Sequence, residues 1–220
     1  SVCARPTCSK WYSARSLFSA EGLRAMIRPT LKAVFLRLQP ALLLPLRLVM
    51  DQRYLVGRHF EAQPTGIIWA YRTVWQRNIL RLGRPQRVPM SLNCNISKIE
   101  NLHFHPDDLN NLQSPSLYVQ NYRASVTIGR GTYIGPNVGL ITANHNFDDL
   151  DQHRPAQPIT LGEKCWVGMN SVIMPGVDLG PRTIVGAGSI VTKSFLEGNC
   201  LIAGTPARLI RKLKILDGIL

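Results

Sequence analysis

Aliphatic residues recur every six positions through the second half of the chain. The first position of each hexad between residues 161 and 195 is occupied by Leu161, Val167, Ile173, Leu179, Val185 and Val191. The next position is glycine in four of these six hexads, and the fifth position is mostly a small residue. The same register occurs upstream at Ile128, Ile134 and Leu140. A period of six fits neither an amphipathic helix nor simple strand alternation.

A short strand followed by a tight corner accounts for this period. Each hexad would form one flat side of a triangular prism, and three hexads would close one turn. The aliphatic residue and the small fifth residue would both point inward, and stacked turns would stabilise each other. The sequence therefore predicts a mainly β fold, a parallel β-helix of the hexapeptide type over residues 91–204. Its early turns, residues 91–127, are expected to be irregular, with strand-like pieces at 95–99, 116–119 and 125–126.

Two segments interrupt or follow the repeat. Residues 146–158 are polar, contain no aliphatic hexad and end at Pro158, so they predict a loop extruded from the prism. After Gly204, the apolar residues Leu209, Ile210, Leu213 and Leu216 alternate with basic ones. We expect a short helix within residues 205–220 that caps the open end of the solenoid.

Residues 1–90 predict a basic, largely helical arm. Apolar positions in 64–82 have helical spacing, with Arg72, Arg77 and Arg81 elsewhere on the helical wheel, and residues 22–50 are also apolar with scattered Arg and Lys. Such helices suit an anionic membrane surface, so contact through residues 22–82 is one expectation. The alternative is that they pack on an oligomer with their bases in water.

The charge distribution follows the same division. The formal charge of +13 comes almost entirely from residues 1–100, which hold 16 basic and 4 acidic residues, whereas residues 101–220 hold 10 and 9. A sequence pI near 10.1 would also fit nucleic acid. No nucleic-acid-binding motif is present, so we expect no nucleic-acid partner.

The composition of the chain narrows the possible classes of protein further. The chain is 45% hydrophobic, which is too apolar for a disordered protein. Five cysteines without a Cys-x-x-Cys pair predict free thiols and no metal site, and therefore a cytoplasmic location, with or without peripheral membrane contact. Residues 1–20 are basic, serine-rich and free of acids, as in a transit peptide, with a disordered basic tail as the alternative. We expect no cleavable secretory signal.

The repeat carries motifs of a known family. Residues 128–145, 162–176 and 185–193, closed by Ala203-Gly-Thr-Pro-Ala-Arg208, resemble the hexapeptide-repeat acyltransferases, and most of all the branch that O-acetylates sugars and cell-surface polysaccharides. The resemblance covers roughly residues 91–214. It implies a homotrimer of left-handed β-helices, acetyl-CoA as donor, and active sites between neighbouring prisms.

The resemblance places His145 at the catalytic position. A sugar hydroxyl is a poor nucleophile at neutral pH, and a neutral imidazole can take its proton as it attacks the thioester carbonyl. Transfer would be direct, with both substrates bound and no acyl-enzyme. His153 is a weaker candidate for the same role, and His103 and His105 are expected to be structural.

Further site residues follow from the same resemblance. Trp166 would line the acceptor site or anchor a trimer interface, and Asp148, Asp149 and Asp151 would either bind acceptor hydroxyls or form a solvated loop. The residues implied for CoA are Gly168, Ala187, Thr192, Lys193 and Arg208. Lys193 and Arg208 would meet its phosphates. Met169 stands where a small residue is usual, which affects the fit of pantetheine.

Three other functions remain open at this point. The chain could acylate another acceptor, such as an amino sugar, an antibiotic or serine. It could be a zinc-dependent hydratase of the γ-carbonic anhydrase kind, which needs three converging imidazoles, although only His145 is in register. It could also be a non-catalytic trimeric scaffold.

Overall fold

A computed structural model describes the backbone of residues 20–214 and the side chains of residues 33–214. Residues 1–19 of the transit-like segment 1–20 and the last six residues lie outside the described part. By internal contacts the chain divides into two compact units, Ser1–Pro45 and Leu46–Leu220. Residues 46–90, which the sequence assigns to the arm, thus share a unit with the repeat.

The helices all precede or interrupt the first turn of the repeat. Helix α1 spans Ala20–Val49 and crosses the boundary between the units. The second unit contains α2 (Arg58–Glu61), α3 (Thr65–Thr73) and a π-helix (Val74–Ile79) that continues α3. Short 3-10 helices lie at Gln52–Tyr54, Ile99–Asn101 and Pro106–Gln113. Within residues 20–214, no helix has the length and apolar character needed to cross a membrane.

Fourteen short strands build the second unit within the described residues. Their bounds are β1 Asn95–Ile96, β2 Leu102–Phe104, β3 Tyr118–Gln120, β4 Val126–Ile128, β5 Tyr133–Ile134, β6 Gly139–Ile141, β7 Ile159–Leu161, β8 Trp166–Val167, β9 Val172–Ile173, β10 Asp178–Leu179, β11 Thr183–Val185, β12 Ile190–Val191, β13 Cys200–Gly204 and β14 Ala207–Lys212.

The strands form three sheets, and the chain visits them in turn. Sheet A has the order β1-β3-β6-β9-β12, sheet B the order β10-β7-β4-β2, and sheet C the order β14-β13-β11-β8-β5. From β4 to β12 the chain passes from sheet B to C to A, one short strand in each, and then repeats. The strand pairings within the three sheets are parallel, except for that of β13 with β14, which is antiparallel. The predicted mainly β, three-sided parallel repeat is confirmed.

The hexad register is confirmed by burial. The aliphatic first positions from Ile128 to Val191 all face the interior and are at most 6% exposed. The small fifth residues are buried too, and their hydroxyls have a specific partner. Thr183 Oγ1 donates to the carbonyl of Gly180 at 2.7 Å, and Ser189 Oγ donates to that of Gly186 at 2.6 Å. These small polar residues satisfy carbonyls that would otherwise be unpaired at the corners.

The glycines that follow the aliphatic residues are needed for space between coils. A Cβ added at Gly162 would lie 2.7 Å from the backbone of Gly180, and one at Gly168 would lie 2.6 Å from the Ala187 nitrogen. Neither glycine is in the left-handed region, which falls instead on the fourth hexad residue, for example Asn170 and Gly188. Close approach of stacked backbones therefore selects glycine here.

The first coil is irregular, as predicted. It contains β1 and β2, but the 3-10 helix at residues 106–113 replaces the strand of sheet C. Backbone groups left without a strand partner are met by polar side chains. Asn111 Nδ2 donates to the Thr132 carbonyl at 2.8 Å, and its Oδ1 accepts from the Ile134 nitrogen at 2.9 Å.

The predicted C-terminal cap helix within residues 205–220 is wrong for residues 207–212. These residues form β14, which pairs antiparallel with β13 at the end of sheet C. Helical spacing is a local signal, whereas an unpaired strand edge offers a full row of hydrogen bonds. The hairpin covers that edge, while Leu209 and Ile210 stay exposed. Residues 215–220, including Leu216, lie outside the described residues.

Candidate active site

His145 lies at the start of the loop that joins sheet A to sheet B. The loop forms a hairpin in which the two arms are hydrogen-bonded to each other. His145 and His153 form an antiparallel bridge. On either side of it, the Asn146 nitrogen donates to the Gln152 carbonyl at 2.8 Å, and the Arg154 nitrogen donates to the Asn144 carbonyl at 2.9 Å. The backbone at His145 is therefore held on both sides.

The imidazole of His145 is fixed by one hydrogen bond. Its Nδ1 lies 2.6 Å from the carbonyl oxygen of Leu150. Because a carbonyl oxygen only accepts, Nδ1 is the donor and Nε2 of the neutral ring keeps its lone pair. The side chain is exposed, and its ring centroid is 4.3 Å from that of His153. The arrangement presents a proton acceptor at a surface.

Two cavities flank this hairpin. One of about 410 Å³ lies toward the later coils, and its lining includes Asn144, Arg154, Met174 and the predicted CoA residue Thr192. The other, of about 480 Å³, lies toward the earlier coils, and its lining includes Gln120, Tyr122 and His153.

Part of the acidic cluster in the loop accepts hydrogen bonds from the loop itself. Asp149 Oδ2 accepts from Gln152 Nε2 at 2.8 Å, and its Oδ1 accepts from the Asp151 nitrogen at 3.1 Å. The Asp148 nitrogen donates to Asn146 Oδ1 at 3.3 Å. The exposed Asp148 carboxylate accepts no hydrogen bond from residues that the structure describes. Asp149 thus shapes the hairpin, and Asp148 is the more available of the two for a ligand.

Trp166 is in a different place from His145. It lies on β8 in the middle of sheet C, paired with Tyr133 on one side and Ile184 on the other, and 56% of its surface is exposed. His145 lies at the corner between sheets A and B, across the prism from sheet C. The chain alone does not bring these two predicted site residues together.

The five predicted CoA residues fall into two groups. Gly168 and Ala187 stack in successive coils at the corner between sheets C and A, next to the exposed Met169. Arg208 continues this column, because it pairs with Ala203, the neighbour of Gly186 in the next coil. Thr192 and Lys193 instead follow β12 at the corner between sheets A and B, which is also the corner of His145.

Several lining residues were not singled out from the sequence. Met174 lies one coil before Thr192, and the Met174 nitrogen donates to the Val191 carbonyl at 3.0 Å. Their separation equals three hexads, so the repeat itself could have identified Met174. Gln120 could not be found this way, because it belongs to the irregular early turns. Its Oε1 accepts from the nitrogens of Thr142 and Ala143, at 3.1 and 3.0 Å, just before His145.

The cysteines near this region are interior groups. Among the described residues, Cys94, Cys165 and Cys200 are free thiols and all are buried. Burial raises the pKa of the Cys165 thiol, whose sulfur lies 3.3 Å from the Gly180 carbonyl oxygen. Cys3 and Cys8 lie outside the described part. Between residues 20 and 214, no group of three or more His, Cys, Asp or Glu is arranged to hold a metal ion.

Residues 158–193 match the family model of the bacterial transferase hexapeptide, six repeats. Over these residues the chain carries the hexapeptide repeat that this model describes. Curated relatives of this chain include a putative acetyltransferase of Schizosaccharomyces pombe, 38% identical over 41% of this chain and 45% of the relative. The galactoside O-acetyltransferase of Escherichia coli is 41% identical over 42% of this chain and 47% of the relative.

A solved structure is similar over part of the chain. It is a hexapeptide-repeat-containing acetyltransferase from Vibrio cholerae, complexed with acetyl coenzyme A, with 36% identity and a TM-score of 0.40 over 42% of this chain and 51% of that one. The chain spans about half the length of the curated relatives it matches.

Proposed function

We propose that this protein is an acetyl-CoA-dependent O-acetyltransferase that acts on a hydroxyl of a sugar or polysaccharide. The observation that carries the proposal is the anchored ring of His145, whose Nδ1–H is bound to the Leu150 carbonyl while Nε2 is free to accept a proton. The relatives named as acetyltransferases, one of them a galactoside O-acetyltransferase, support the donor and the acceptor class.

In the proposed reaction His145 acts as general base. The acceptor hydroxyl oxygen attacks the thioester carbonyl carbon as Nε2 takes its proton. The C–S bond then breaks, and the departing CoA sulfur receives that proton from the imidazolium, leaving an ester and CoA–SH. General-base assistance of this kind accelerates a reaction about 10²–10⁴-fold.

We propose direct transfer without an acyl-enzyme. A covalent route needs an accessible nucleophile, and the cysteines closest to the repeat motifs, Cys165 and Cys200, are no more than 2% exposed. The raised pKa of Cys165 also keeps that thiol protonated. A ternary complex with both substrates bound requires neither residue.

The proposed assembly is a homotrimer of left-handed β-helices with sites between copies. The column Gly168, Ala187 and Arg208 and the residue Trp166 lie on one side of the prism, and His145 lies across from them. In a threefold assembly, the corner between sheets C and A of one prism would meet the corner between sheets A and B of the next. The ladder Tyr133, Trp166, Ile184 and Leu201 on sheet C, in which the first two are exposed and the last two half-buried, provides apolar surface for such contacts.

CoA would lie in the cleft between two such copies. Pantetheine would run along the column of Gly168 and Ala187 past Met169, and Arg208 would bind phosphate. Thr192 and Lys193 would come from the neighbouring copy together with His145. Trp166 and Asp148 would then face the acceptor.

The general base is tested by His145→Ala, with His103→Ala as the matched control. His103 is an exposed histidine on sheet B, outside the proposed site. Thiol release from acetyl-CoA and mass of the acetylated glycan would be measured over a panel of sugars. We expect kcat to fall about 10²–10⁴-fold for His145→Ala and to be unchanged for His103→Ala. Wild-type transfer by His145→Ala would refute the mechanism.

The same assay separates His145 from His153. His153→Ala removes the ring contact but leaves the bond between Nδ1 and Leu150, so its loss of kcat should be smaller than that of His145→Ala. A larger loss would reassign the base to His153.

Sites shared between copies are tested by complementation. The variant His145→Ala and the variant Ala187→Arg, whose new side chain would block the CoA column, should each be inactive. When the two variants are refolded together, activity should return, because some clefts in the mixed trimers contain neither substitution. Activity that never returns on mixing, in a protein that is trimeric by light scattering, would place each site within one chain.

A further inference from the structure

The continuous helix formed by α3 and the π-helix is apolar on two sides. Its inner side buries Ile67, Ala70 and Thr73 against the rest of the unit. Its outer side carries a stripe of large apolar residues. We call the outer stripe the helix residues Ile68, Tyr71, Trp75 and Ile79 together with Leu82 from the turn that follows, which are 57%, 38%, 56%, 57% and 60% exposed. A helix on the surface of a soluble domain usually carries polar residues on its outer side.

The outer stripe lies in a strongly basic stretch. Between Glu61 and Glu100 the sequence contains no Asp or Glu. The turn that follows the π-helix adds Arg81, Arg84 and Arg87, all exposed. Arg84 also donates to the Tyr122 hydroxyl at 3.3 Å. The charge of Arg87 contributes to the lowered pKa of Asp51, where the hydrogen bond from Arg53 is the largest cause. Apolar and basic groups therefore occupy one continuous segment.

The helix that carries the stripe is fixed to the β-helix. Arg77 on its inner side is 5% exposed, and its guanidinium donates to the backbone carbonyls of Ser91, Leu92 and Cys94. Thr73 Oγ1 donates to the Met90 carbonyl and accepts from the Met90 nitrogen, both at 2.9 Å. Whatever binds the outer stripe is thereby held at a set orientation to the first coil.

We propose that the outer stripe, with Arg81, Arg84 and Arg87, docks the protein on an anionic lipid surface. Large apolar side chains that include Trp and Tyr enter the boundary between headgroups and acyl chains, and nearby arginines are attracted to anionic headgroups. The segment would lie in the plane of the membrane, because its 15 residues fall short of the roughly 20 needed to span one. This inference does not depend on the proposed reaction.

The test uses the full chain and vesicles of phosphatidylcholine, with or without phosphatidylglycerol. Sedimentation with the vesicles should show binding at least about tenfold tighter when phosphatidylglycerol is present, and the difference should shrink with added salt. The double variant W75S/I79S should bind about tenfold or more weakly. The matched control Leu196→Ser changes an equally exposed apolar residue outside the stripe and should bind like the wild type.

Two further measurements distinguish the possible outcomes. The variant R81Q/R87Q should lose the preference for phosphatidylglycerol while retaining its thermal unfolding transition. It therefore tests the proposal even if W75S/I79S has a folding defect. Absence of wild-type binding to either vesicle would overturn the proposal. If W75S/I79S instead lowers the mass measured by light scattering without affecting vesicle binding, the stripe is a contact between copies and the proposal fails.

Discussion

The regular coils and the segment 46–90 are held together in different ways. In the coils from Ile128 to Val191, each strand pairs with strands directly above and below, so the backbone satisfies itself and side chains only fill the interior. The segment 46–90 has no such pairing with the prism. Besides its buried apolar residues, it is joined to the first coil by single polar side chains. Arg77 donates to carbonyls where the repeat begins, and Asp107 of the first coil accepts from the Arg58 nitrogen.

The difference shows what ending a solenoid requires. Each regular coil presents the same unpaired edge that the next coil covers, whereas the first coil has no predecessor. At that end its carbonyls are met by a buried guanidinium, and at the other end β14 covers the edge as a hairpin strand. The repeated coils are stabilised by tight stacking, whereas the ends are stabilised by specific hydrogen-bond donors.

The largest effect should come from disturbing the stacking of the coils. Gly162→Val puts a branched side chain where even a Cβ would lie 2.7 Å from the backbone of the next coil. Because backbone cannot move aside cheaply, we expect a loss of more than about 4 kcal/mol in the free energy of unfolding, measured by chemical denaturation. Gly188→Ala is the control. It has open space around its Cβ but a φ of +70°, so it should lose only about 1 kcal/mol. Equal losses would mean that backbone conformation, and not stacking, selects these glycines.

A smaller effect is expected from the attachment of the segment 46–90. Arg77→Met keeps the length of the side chain but leaves the carbonyls of Ser91, Leu92 and Cys94 without their donor, at a cost of about 3 kcal/mol. Arg81→Met, an exposed arginine of the same segment, should change stability by less than about 0.5 kcal/mol. Hydrogen exchange should locate the Arg77→Met loss in residues 90–96. Identical stabilities for the two variants would show that the guanidinium is not what joins this segment to the first coil.

The smallest effect concerns Asp107, which joins α2 to the first coil. Its Oδ1 accepts from the Arg58 nitrogen at 2.8 Å and its Oδ2 from Arg130 Nη2 at 2.9 Å. The hydrogen bond from the Arg58 nitrogen lowers the pKa of this carboxyl below its ordinary 3.8. A depressed folded-state pKa stabilises the protein above the unfolded pKa, and that stability is lost as the pH falls through the folded pKa.

Asp107→Asn should therefore cost about 1 kcal/mol at pH 7, and the two proteins should converge in stability as the pH falls below about 4. Glu163→Gln changes an exposed carboxylate, serves as the control and should match the wild type. A difference that persists unchanged at low pH would indicate a packing defect and not a charge effect.

The sequence predicted most of what depends on the repeat. The interior positions, the small fifth residues, the irregular early turns and the loop before Ile159 all follow from the hexad register, because each coil adds the same contacts. The position of His145 at the end of a hexad followed from the family motif. The fixed orientation of its ring did not, because Leu150 and His153 reach it only when the loop closes on itself.

The sequence by itself thus determined the solenoid, its core and the corner at which His145 lies. Only the tertiary structure decided the roles of residues outside the register. Arg77 belongs to a basic helix in the sequence, yet it is buried because the first coil exposes carbonyls that need a donor. Residues 207–212 have helical spacing, yet they form a strand because β13 leaves an open edge. A periodic pattern specifies contacts between neighbouring coils, whereas the ends of a solenoid are determined by backbone groups that the pattern leaves unpaired.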